Sequence, residues 1–417
     1  MKLAPRKSCR VCFSEKLTPI LSLGGQYVSD FVDENRGEKI PLELVLCNAK
    51  EGGCGLLQLT YTTPPEIMYT QYWYLSGMNK SMTDALTDIA LKAEKLVSLE
   101  KGDMAIDIGA NDGTLLRAYM DPKIYKVGFE PAKNLVPYAE NGNDRIINDF
   151  FNAAAFKKLF GERKAKIITS IAMFYDLEEP NKFVEDIAAL LHKDGVWIIQ
   201  MSYLPLMLET NAFDNICHEH LEYYSLHSLT HLLEKHGFKI FDVEQNDVNG
   251  GSFRVYVKHA EGKPAHSSAA SEANVEKLME YEVKLGLTDK KVYEEFAGRV
   301  GDIKKRLVDF ITQEVAKGRK VYVYGASTKG NTLLQYFGLD NTLITAAAEK
   351  NKDKWGRKTV GTMIPIISEE KARDAKPDYF LILPWHFLKE FRQRESEYLK
   401  SGGKFIVPLP EFKIIAD

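Results

Sequence analysis

The stretch MAIDIGANDGTLLRAY, residues 104–119, decides the fold of this chain. Its apolar residues up to Ile108 are typical of a strand buried in a parallel sheet, and the glycines after them allow a tight turn into a helix. A helix that begins at such a turn points unpaired backbone N–H groups at a ligand. The fingerprint G-x-G-x-x-G is absent, because Asn111 and Thr114 stand where it needs glycine, so the turn does not favour a dinucleotide. An ordinary strand-to-helix turn is the alternative interpretation.

Two acidic residues follow at the ends of later predicted strands. In KVGFEP, Glu130 ends the next strand, roughly 20 residues beyond the turn, where a carboxylate can accept both hydroxyl groups of an adenosine ribose. Asp149 follows a third strand in RIINDFF, and for this residue alone a solvated loop acid is an equally good interpretation. Because strands and helices alternate up to about Val257, the sequence predicts an α/β domain over residues 76–260.

A second strand–turn–helix pattern, RKVYVYGASTKGNTLLQYFG, covers residues 319–338. Two of its glycines have P-loop spacing, but Asn331 stands where that motif needs lysine, so an NTPase is not predicted. The backbone N–H groups of residues 327–330 can still cradle a diphosphate, although a purely architectural domain is the alternative. We therefore predict that residues 261–417 form a charged helical segment and a second Rossmann-like α/β domain. The predicted elements are the helical segment from about Ser267 to Lys317 and strands at 321–324, 343–346, 379–383 and 404–407.

Four of the five cysteines fall in the N-terminal part, residues 1–75. Cys9 and Cys12 form a C-x-x-C pair, and Cys47 and Cys54 form a wider second pair. Two such pairs can supply the closed tetrahedral thiolate shell of a structural zinc ion. Four ordinary buried thiols are the alternative, but clustering of this kind in a chain without a secretory signal favours a metal. The sequence thus predicts a small zinc-binding domain.

Bulk composition excludes several classes of function. The formal net charge of -3 gives no basic surplus, so a nucleic-acid partner is not expected. No apolar run approaches the roughly 20 residues that span a bilayer, and the N-terminus has no apolar signal core. We therefore expect no membrane association and a cytoplasmic location.

The segment FDNICHEHLEYYSL, residues 213–226, concentrates acid–base side chains. H-E-x-x-H would require a histidine where Glu222 stands, so a zinc protease is excluded. If the segment is extended, His218 and His220 share one face with Glu219 opposite, whereas on a loop all three could converge. Histidine titrates near neutrality and a carboxylate can orient it, so the group suits general acid–base catalysis. Two structural histidines are the alternative interpretation.

Taken together, these motifs resemble the sugar C-methyltransferases of deoxysugar biosynthesis. The matching stretches are CRVC, WYLSGMN, DIGANDGTLL, HEHLEYYSL, NGGSFR and VYVYGASTKGN, and they extend over almost the whole chain. The resemblance implies a zinc-binding domain, a central class I methyltransferase domain that binds S-adenosylmethionine, and a C-terminal Rossmann-like domain. The last of these would help to hold the nucleotide part of a sugar substrate.

The resemblance also implies roles for individual residues. His220 is the usual candidate for the base, and Cys217 stands where members with an assigned sugar chemistry often have tyrosine. The other implied roles are catalysis by Glu219, His218 and Tyr224; S-adenosylmethionine binding by Asp107, Gly109, Asn111, Asp112, Glu130 and Asp149; and substrate binding by Tyr74, Cys217, Arg254, Ser327, Lys329, Asn331 and Glu349.

We therefore expect an enzyme that removes a proton beside a ketone of a nucleotide-linked deoxysugar and methylates the resulting enolate. An N- or O-methyltransferase acting on a related sugar nucleotide is the first alternative, and it would not need the ketone. A non-catalytic S-adenosylmethionine-binding protein is the second. An RNA methyltransferase is a third alternative, which the charge balance disfavours.

Overall fold

The computed structural model describes residues 4–69, 72–263 and 269–416. The N-terminal part consists of strands β1 (Leu17–Gln26), β2 (Phe31–Val32), β3 (Ile40–Cys47) and β4 (Leu57–Leu59) and the short helix α1 (Pro65–Tyr69). β1, β3 and β4 pair as an antiparallel sheet, and residues 222–223 add a fourth strand beside β4. This sheet therefore takes one strand from beyond the boundary predicted at residue 75.

The central part is an open sheet covered by helices on both faces. Its elements are α2 (Lys80–Leu96), β5 (Met104–Ile108), α3 (Thr114–Arg117), β6 (Tyr125–Phe129), α4 (Val136–Ala139), β7 (Arg145–Ile147), α5 (Ala153–Phe160), β8 (Ala165–Ile171), α6 (Pro180–Leu190), β9 (Leu191–Ser202), α7 (Leu204–Glu209), β10 (Glu222–Tyr223), α8 (Leu226–Lys235), β11 (Phe238–Asn246) and β12 (Ser252–His259).

The strand order of the central sheet is β11-β12-β9-β8-β5-β6-β7, and β12 runs antiparallel to both neighbours. Every residue of β5 is buried, as the apolar pattern of the opening stretch predicts. From β5 the chain runs outward to β6 and β7, then returns to β8 on the other side. The strand order therefore reverses between β5 and β8, and ligands of open α/β sheets bind at such a point.

The C-terminal part starts with two long helices and ends in a second open sheet. Its elements are α9 (Ala269–Leu285), α10 (Lys290–Ala316), β13 (Val321–Tyr324), α11 (Thr328–Phe337), β14 (Ala347–Glu349), β15 (Lys358–Thr359), β16 (Ile366–Ser368), α12 (Glu369–Asp374), β17 (Tyr379–Ile382), α13 (Leu388–Arg394), α14 (Ser396–Lys400), β18 (Lys404–Val407) and β19 (Lys413–Ile415). The predicted helical segment is confirmed from residue 269, while its first residues, from Ser267, lie outside the described residues.

The strand order of the second sheet is β16-β14-β13-β17-β18-β19, with β19 antiparallel, so the order reverses between β13 and β17. The strand predicted at 343–346 is wrong, because this segment belongs to a turn that leads into β14. The backbone N–H groups of Leu343 and Ile344 bond to the Asp340 carbonyl oxygen and close that turn.

One apolar cluster joins the parts of the chain and fixes their relative position. It contains residues of β1, β3 and β4, a buried stripe of α10 that includes Phe296 and Val300, and one face of the C-terminal sheet. β2 also pairs with β15, which connects the N-terminal part to the C-terminal part directly. Within the described ranges, none of the helices is both long and apolar enough to cross a membrane.

Candidate active site

A cleft of about 590 Å³ lies between the carboxyl ends of the two parallel sheets. The central wall of this cleft carries residues that follow β5, β6, β7 and β8, and the C-terminal wall carries residues that follow β13, β14 and β17. The two points of strand-order reversal therefore face each other, and each is a place where a ligand of an open α/β sheet binds.

Glu130 lies on the central wall, directly after β6, and is 5% exposed. Its Oε2 accepts a hydrogen bond of 2.8 Å from the Asn111 backbone N–H, and its Oε1 accepts one of 2.7 Å from the Ala132 backbone N–H. Burial raises the pKa of Glu130 to about 7, while the two backbone N–H groups oppose that rise. Each carboxylate oxygen has a second lone pair, so both can still accept a hydroxyl group.

Asp107 and Gly109 line the central wall at the carboxyl end of β5. Asp107 accepts a hydrogen bond of 2.6 Å from the Thr169 hydroxyl, and burial raises the pKa of Asp107 to about 7. Gly109 has a φ of 72°, and a Cβ there would lie 3.4 Å from a side-chain carbon of Met173, so a larger residue would crowd the cleft. Asp149 lies exposed at the rim, where its carboxylate accepts a hydrogen bond of 2.8 Å from the next backbone N–H.

The loop before α2 is tied to the glycine turn by two side chains. Asn111 donates from Nδ2 to the Tyr74 carbonyl oxygen at 3.0 Å and accepts from the Ser76 backbone N–H at 2.9 Å. Asp112 accepts from the Gly77 backbone N–H at 2.7 Å. Tyr74, 41% exposed, lines the cleft together with Asn111, whereas Asp112 lies outside the lining. In the structure Asp112 holds this loop, and its expected cofactor contact stays a prediction.

His220 and Glu219 lie where the two walls meet. His220 Nδ1 is 2.8 Å from the Asn215 carbonyl oxygen, and because a carbonyl can only accept, Nδ1 carries the proton and Nε2 the free lone pair. The His220 ring centroid lies 4.2 Å from that of Tyr175. Burial, helped by the Lys329 ammonium, lowers the pKa of His220 to about 3, so the ring is neutral. Burial raises the pKa of Glu219 to about 7, and Lys329 opposes that rise.

Cys217 belongs to the same group of side chains. Its Sγ, a carboxylate oxygen of Glu219 and an imidazole nitrogen of His220 all lie within 4.8 Å of one another. Cys217 is 2% exposed and lies behind the cleft surface. Burial raises the pKa of the Cys217 thiol well above its ordinary value, so the free site holds a protonated thiol.

His218 and Tyr224, for which the resemblance implied catalytic roles, do not join this group of side chains. A turn at residues 217–219 directs His218 toward β3, where its Nε2 lies 3.1 Å from the Ile40 carbonyl oxygen and the residue is 4% exposed. Tyr224 is fully buried beside the ring of Phe174, at 5.4 Å between centroids. Both side chains contribute to packing between the N-terminal and central parts.

Arg254 and Asn331, for which the resemblance implied substrate binding, lie outside the cleft lining. Arg254 is buried, and its Nη1 donates to Asp88 and Glu244, both at 2.8 Å. Asn331 is buried at the start of α11 and donates from Nδ2 to the Asp30 carbonyl oxygen at 2.9 Å. Arg254 therefore supports the central sheet, and Asn331 joins the C-terminal part to the N-terminal part.

The other predicted substrate residues line the C-terminal wall. Ser327 caps α11, where its hydroxyl accepts a hydrogen bond of 3.0 Å from the backbone N–H three residues on. Lys329 donates from Nζ to Asn215 Oδ1 at 2.6 Å and so reaches from the C-terminal wall to the central part. Glu349 accepts from the Ala326 backbone N–H at 2.9 Å, which fixes the turn after β13.

Several residues of the cleft were not predicted from the sequence. Asp176 follows β8, and burial together with the Glu219 charge raises its pKa well above the ordinary value. Its Oδ1 has no hydrogen-bond partner among the described residues. Nothing in the sequence pattern after β8 singles out Asp176 as a residue of the site. The other unpredicted lining residues include Tyr69, Tyr175, Asp214, Lys350, Lys354 and Arg394.

The four N-terminal cysteines converge as predicted. Their Sγ atoms all lie within 4.8 Å of one another, with Cys9 at 3.6 Å from Cys54 and Cys12 at 3.4 Å from Cys47. Sulfur atoms roughly 2.3 Å from a tetrahedral zinc ion lie about 3.8 Å apart, so the quartet fits zinc with no open position. The second pair is widely spaced in sequence, and a tight turn brings its two sulfur atoms together. The turn needs glycine at position 53, because a Cβ there would lie 2.5 Å from the Cys47 Sγ.

This fold and site define an S-adenosylmethionine-dependent methyltransferase with a structural zinc site. Three family models match in sequence: a zinc binding domain at residues 9–69, a methyltransferase domain at 74–243 and a C-methyltransferase C-terminal domain at 247–410. C-methyltransferase NovU of Streptomyces niveus is 30% identical over 418 residues, which cover 99% of this chain and 97% of NovU. The chain therefore belongs to the C-methyltransferase family, as its motifs implied.

Solved methyltransferase structures align with less than half of the chain. Magnesium protoporphyrin IX methyltransferase from Synechocystis PCC 6803 is 12% identical with a TM-score of 0.31, over 42% of this chain and 77% of its own. Mitomycin 7-O-methyltransferase MmcR is 15% identical with a TM-score of 0.34, over 44% of this chain and 55% of its own. Likeness at this level carries no information about the substrate.

Proposed function

We propose that this C-methyltransferase acts on a nucleotide-linked keto-deoxysugar and that His220 removes the proton that makes the acceptor carbon nucleophilic. The observation that carries the proposal is a neutral, buried imidazole with a free Nε2 at the junction of the two cleft walls. The motif resemblance to sugar C-methyltransferases supports the substrate class. The cleft supports it independently, since its two walls differ in the ligands they suit.

The central wall suits S-adenosylmethionine. Glu130 offers a carboxylate whose two oxygens can each accept a ribose hydroxyl, and Asp149 at the rim suits the adenine. Asp107 and the open turn at Gly109 suit the charged methionine end. When bound, S-adenosylmethionine supplies a methyl group on a sulfonium, which is an electrophile for a carbon nucleophile.

The C-terminal wall suits a nucleoside diphosphate. Four basic side chains line it, and a diphosphate is held by charge-assisted hydrogen bonds to such groups. They are Lys329, Lys350, Lys354 and Arg394. Glu349, whose carboxylate is fixed by the Ala326 backbone N–H, can accept a ribose hydroxyl of the same nucleotide.

A sugar carbon becomes nucleophilic when a neighbouring ketone acidifies its proton. In the proposed step, His220 Nε2 takes that proton, and the C–H electron pair moves into an enolate whose oxygen carries the negative charge. The Lys329 ammonium lies close enough to the His220 ring to lower its pKa, so it is well placed to stabilise the enolate oxygen. The imidazolium keeps its Nδ1 hydrogen bond to Asn215, and the Glu219 carboxylate stabilises its charge when ionised.

Proton exchange tests this step without methyl transfer. A panel of keto-sugar nucleotides is incubated in heavy water with the protein and S-adenosylhomocysteine, and loss of the α-proton is followed by NMR. His220→Asn should abolish both exchange and turnover while leaving S-adenosylhomocysteine affinity unchanged. The matched control is His231→Asn, because His231 is an exposed histidine outside the cleft lining.

Two results would contradict the proposal. Exchange at the normal rate in His220→Asn would reject His220 as the base. Methylation of a sugar nucleotide whose ketone has been reduced to an alcohol would reject the enolate, since that substrate has no acidified C–H bond.

A further inference from the structure

The structure assigns a second transition-metal site to Cys217, Glu219 and His220, at the junction of the two cleft walls and separate from the N-terminal cysteine quartet. The site suits a divalent ion of the zinc class. An ion bound there would occupy the Nε2 lone pair of His220 and would inhibit the reaction. The inhibition rests on the proposed function of His220 as the base, whereas the binding of the ion is independent of that function.

The first support is the donor set and its spacing. One thiol sulfur, one carboxylate oxygen and one imidazole nitrogen lie within 4.8 Å of one another. Zinc accepts all three ligand types at roughly 2.0–2.3 Å, and sites with three protein ligands keep a fourth position open. Glu219 and His220 line the cleft, so an ion can reach them from the side that admits substrate. Cys217 lies behind them and supplies the buried ligand.

The second support is the orientation of His220. Its Nδ1–H is held by the Asn215 carbonyl oxygen at 2.8 Å, which fixes the tautomer with a free lone pair on Nε2. Histidines that bind metals almost always donate their other ring N–H to a carbonyl or carboxylate in this way. The ring is therefore oriented as a metal ligand before any ion arrives.

The third support is the charge around the group. A thiolate and a carboxylate together neutralise a divalent ion, and the proton of the Cys217 thiol would leave to solvent as the S–metal bond forms. Asp214 lines the same cleft, is 2% exposed, and has an Oδ1 without a hydrogen-bond partner within the described part of the chain. Asp176 also faces Glu219. Burial raises the pKa of both carboxyl groups, so they offset the opposing charge of the Lys329 ammonium once a bound cation favours their ionised forms.

The site depends on the one cysteine that the N-terminal quartet does not use. Of the chain's five cysteines, four form the quartet and Cys217 is the fifth. Cys217→Tyr therefore removes the proposed soft ligand and leaves the quartet intact.

The test uses full-length protein already loaded with one zinc ion per chain. Zinc is titrated by calorimetry, and Co²⁺ is followed by the absorption band that thiolate ligation produces. We expect one further equivalent to bind, and we expect Cys217→Ser to weaken it by more than about 100-fold, because losing even an outer-shell partner costs 10–100-fold. Cys217→Tyr should also lose the Co²⁺ band, while His231→Ala should retain it.

Each variant is compared with its own activity in metal-free buffer, and S-adenosylhomocysteine affinity verifies that it is folded. Zinc should inhibit the parent protein at the concentration at which the second equivalent binds, and inhibition should vanish in Cys217→Ser. The metal site is overturned if no second equivalent binds, or if it binds unchanged in Cys217→Ser. If binding requires Cys217 but turnover is unaffected, the metal site stands and His220 is not the base.

Discussion

Replacing Glu130 by glutamine tests the proposed cofactor half of the cleft, because a neutral amide then stands where a carboxylate accepts two backbone N–H groups and, in the proposal, two ribose hydroxyls. In the parent, the two carboxylate oxygens accept the Asn111 and Ala132 backbone N–H groups at 2.8 and 2.7 Å and have one lone pair each left for the ribose. Glutamine retains one oxygen, and its NH₂ group must face one of the two N–H donors. We therefore expect Glu130→Gln to weaken S-adenosylhomocysteine binding.

Losing a hydrogen bond to a charged group costs roughly 1.5–3 kcal/mol, which is about a ten- to a hundredfold loss of affinity. The pH dependence gives a second, independent measure. Because burial raises the pKa of Glu130 to about 7, the carboxyl is mostly protonated at pH 6 and mostly ionised at pH 8. Ribose hydroxyls donate to the ionised form, so the parent should lose about tenfold in affinity from pH 8 to pH 6.

Calorimetry of S-adenosylhomocysteine binding at the two pH values checks both expectations. Burial also raises the pKa of Asp107 to about 7, and the Glu130 charge contributes to that rise, so the difference between the two slopes measures Glu130 together with its effect on Asp107. Glu94→Gln is the matched control, since Glu94 also accepts two backbone N–H groups, at 2.6 and 2.8 Å, but lies outside the cleft lining. Equal affinity and equal pH dependence in Glu130→Gln and the parent would refute the ribose contact.

Three further predictions concern other parts of the molecule. Cys47→Ser should leave little folded protein, because metal binding and folding are coupled; folded protein with well below about one zinc per chain would contradict this. Arg254→Met should lower the free energy of unfolding by about 2–3 kcal/mol, because it breaks the buried ion pairs with Asp88 and Glu244. The loss should lie near the low end for such pairs, since both carboxylates are partly exposed and can regain water. A normal stability with a raised KM would instead restore Arg254 as a substrate residue. Lys329→Met should raise KM for the sugar nucleotide by about ten- to a hundredfold in steady-state kinetics and leave S-adenosylhomocysteine affinity unchanged in calorimetry. An unchanged KM with weakened S-adenosylhomocysteine binding would instead assign Lys329 to the cofactor half of the cleft.

Short-range patterns in the sequence predicted the two strand–turn–helix units correctly. β5 and β13 lie where the apolar runs before Gly109 and Gly325 indicate, since a buried parallel strand reads as a continuous apolar stretch. The cysteine quartet was equally predictable, because both pairs are local in sequence. A strand was predicted at 343–346, but a turn closed by Asp340 delays the strand to Ala347–Glu349.

Side-chain direction was less predictable than strand position. An extended H-E-H segment would place His218 and His220 on one face, but the turn at 217–219 sends His218 to β3 and His220 to the cleft. Arg254 follows a glycine turn that looked like part of a site, yet partners distant in sequence, Asp88 and Glu244, bind its guanidinium.

The sequence by itself thus determined the two strand–turn–helix units, the zinc ligands and the family, because each depends on neighbours along the chain. Only the tertiary structure decided which acid–base residues share a cleft. Lys329 in α11 and Asn215 in the loop between α7 and β10 meet at 2.6 Å although 114 residues separate them, and Asp176 approaches Glu219 from the loop after β8. No periodicity or spacing encodes such contacts, since they depend on how the apolar faces of α10 and the two sheets fit together.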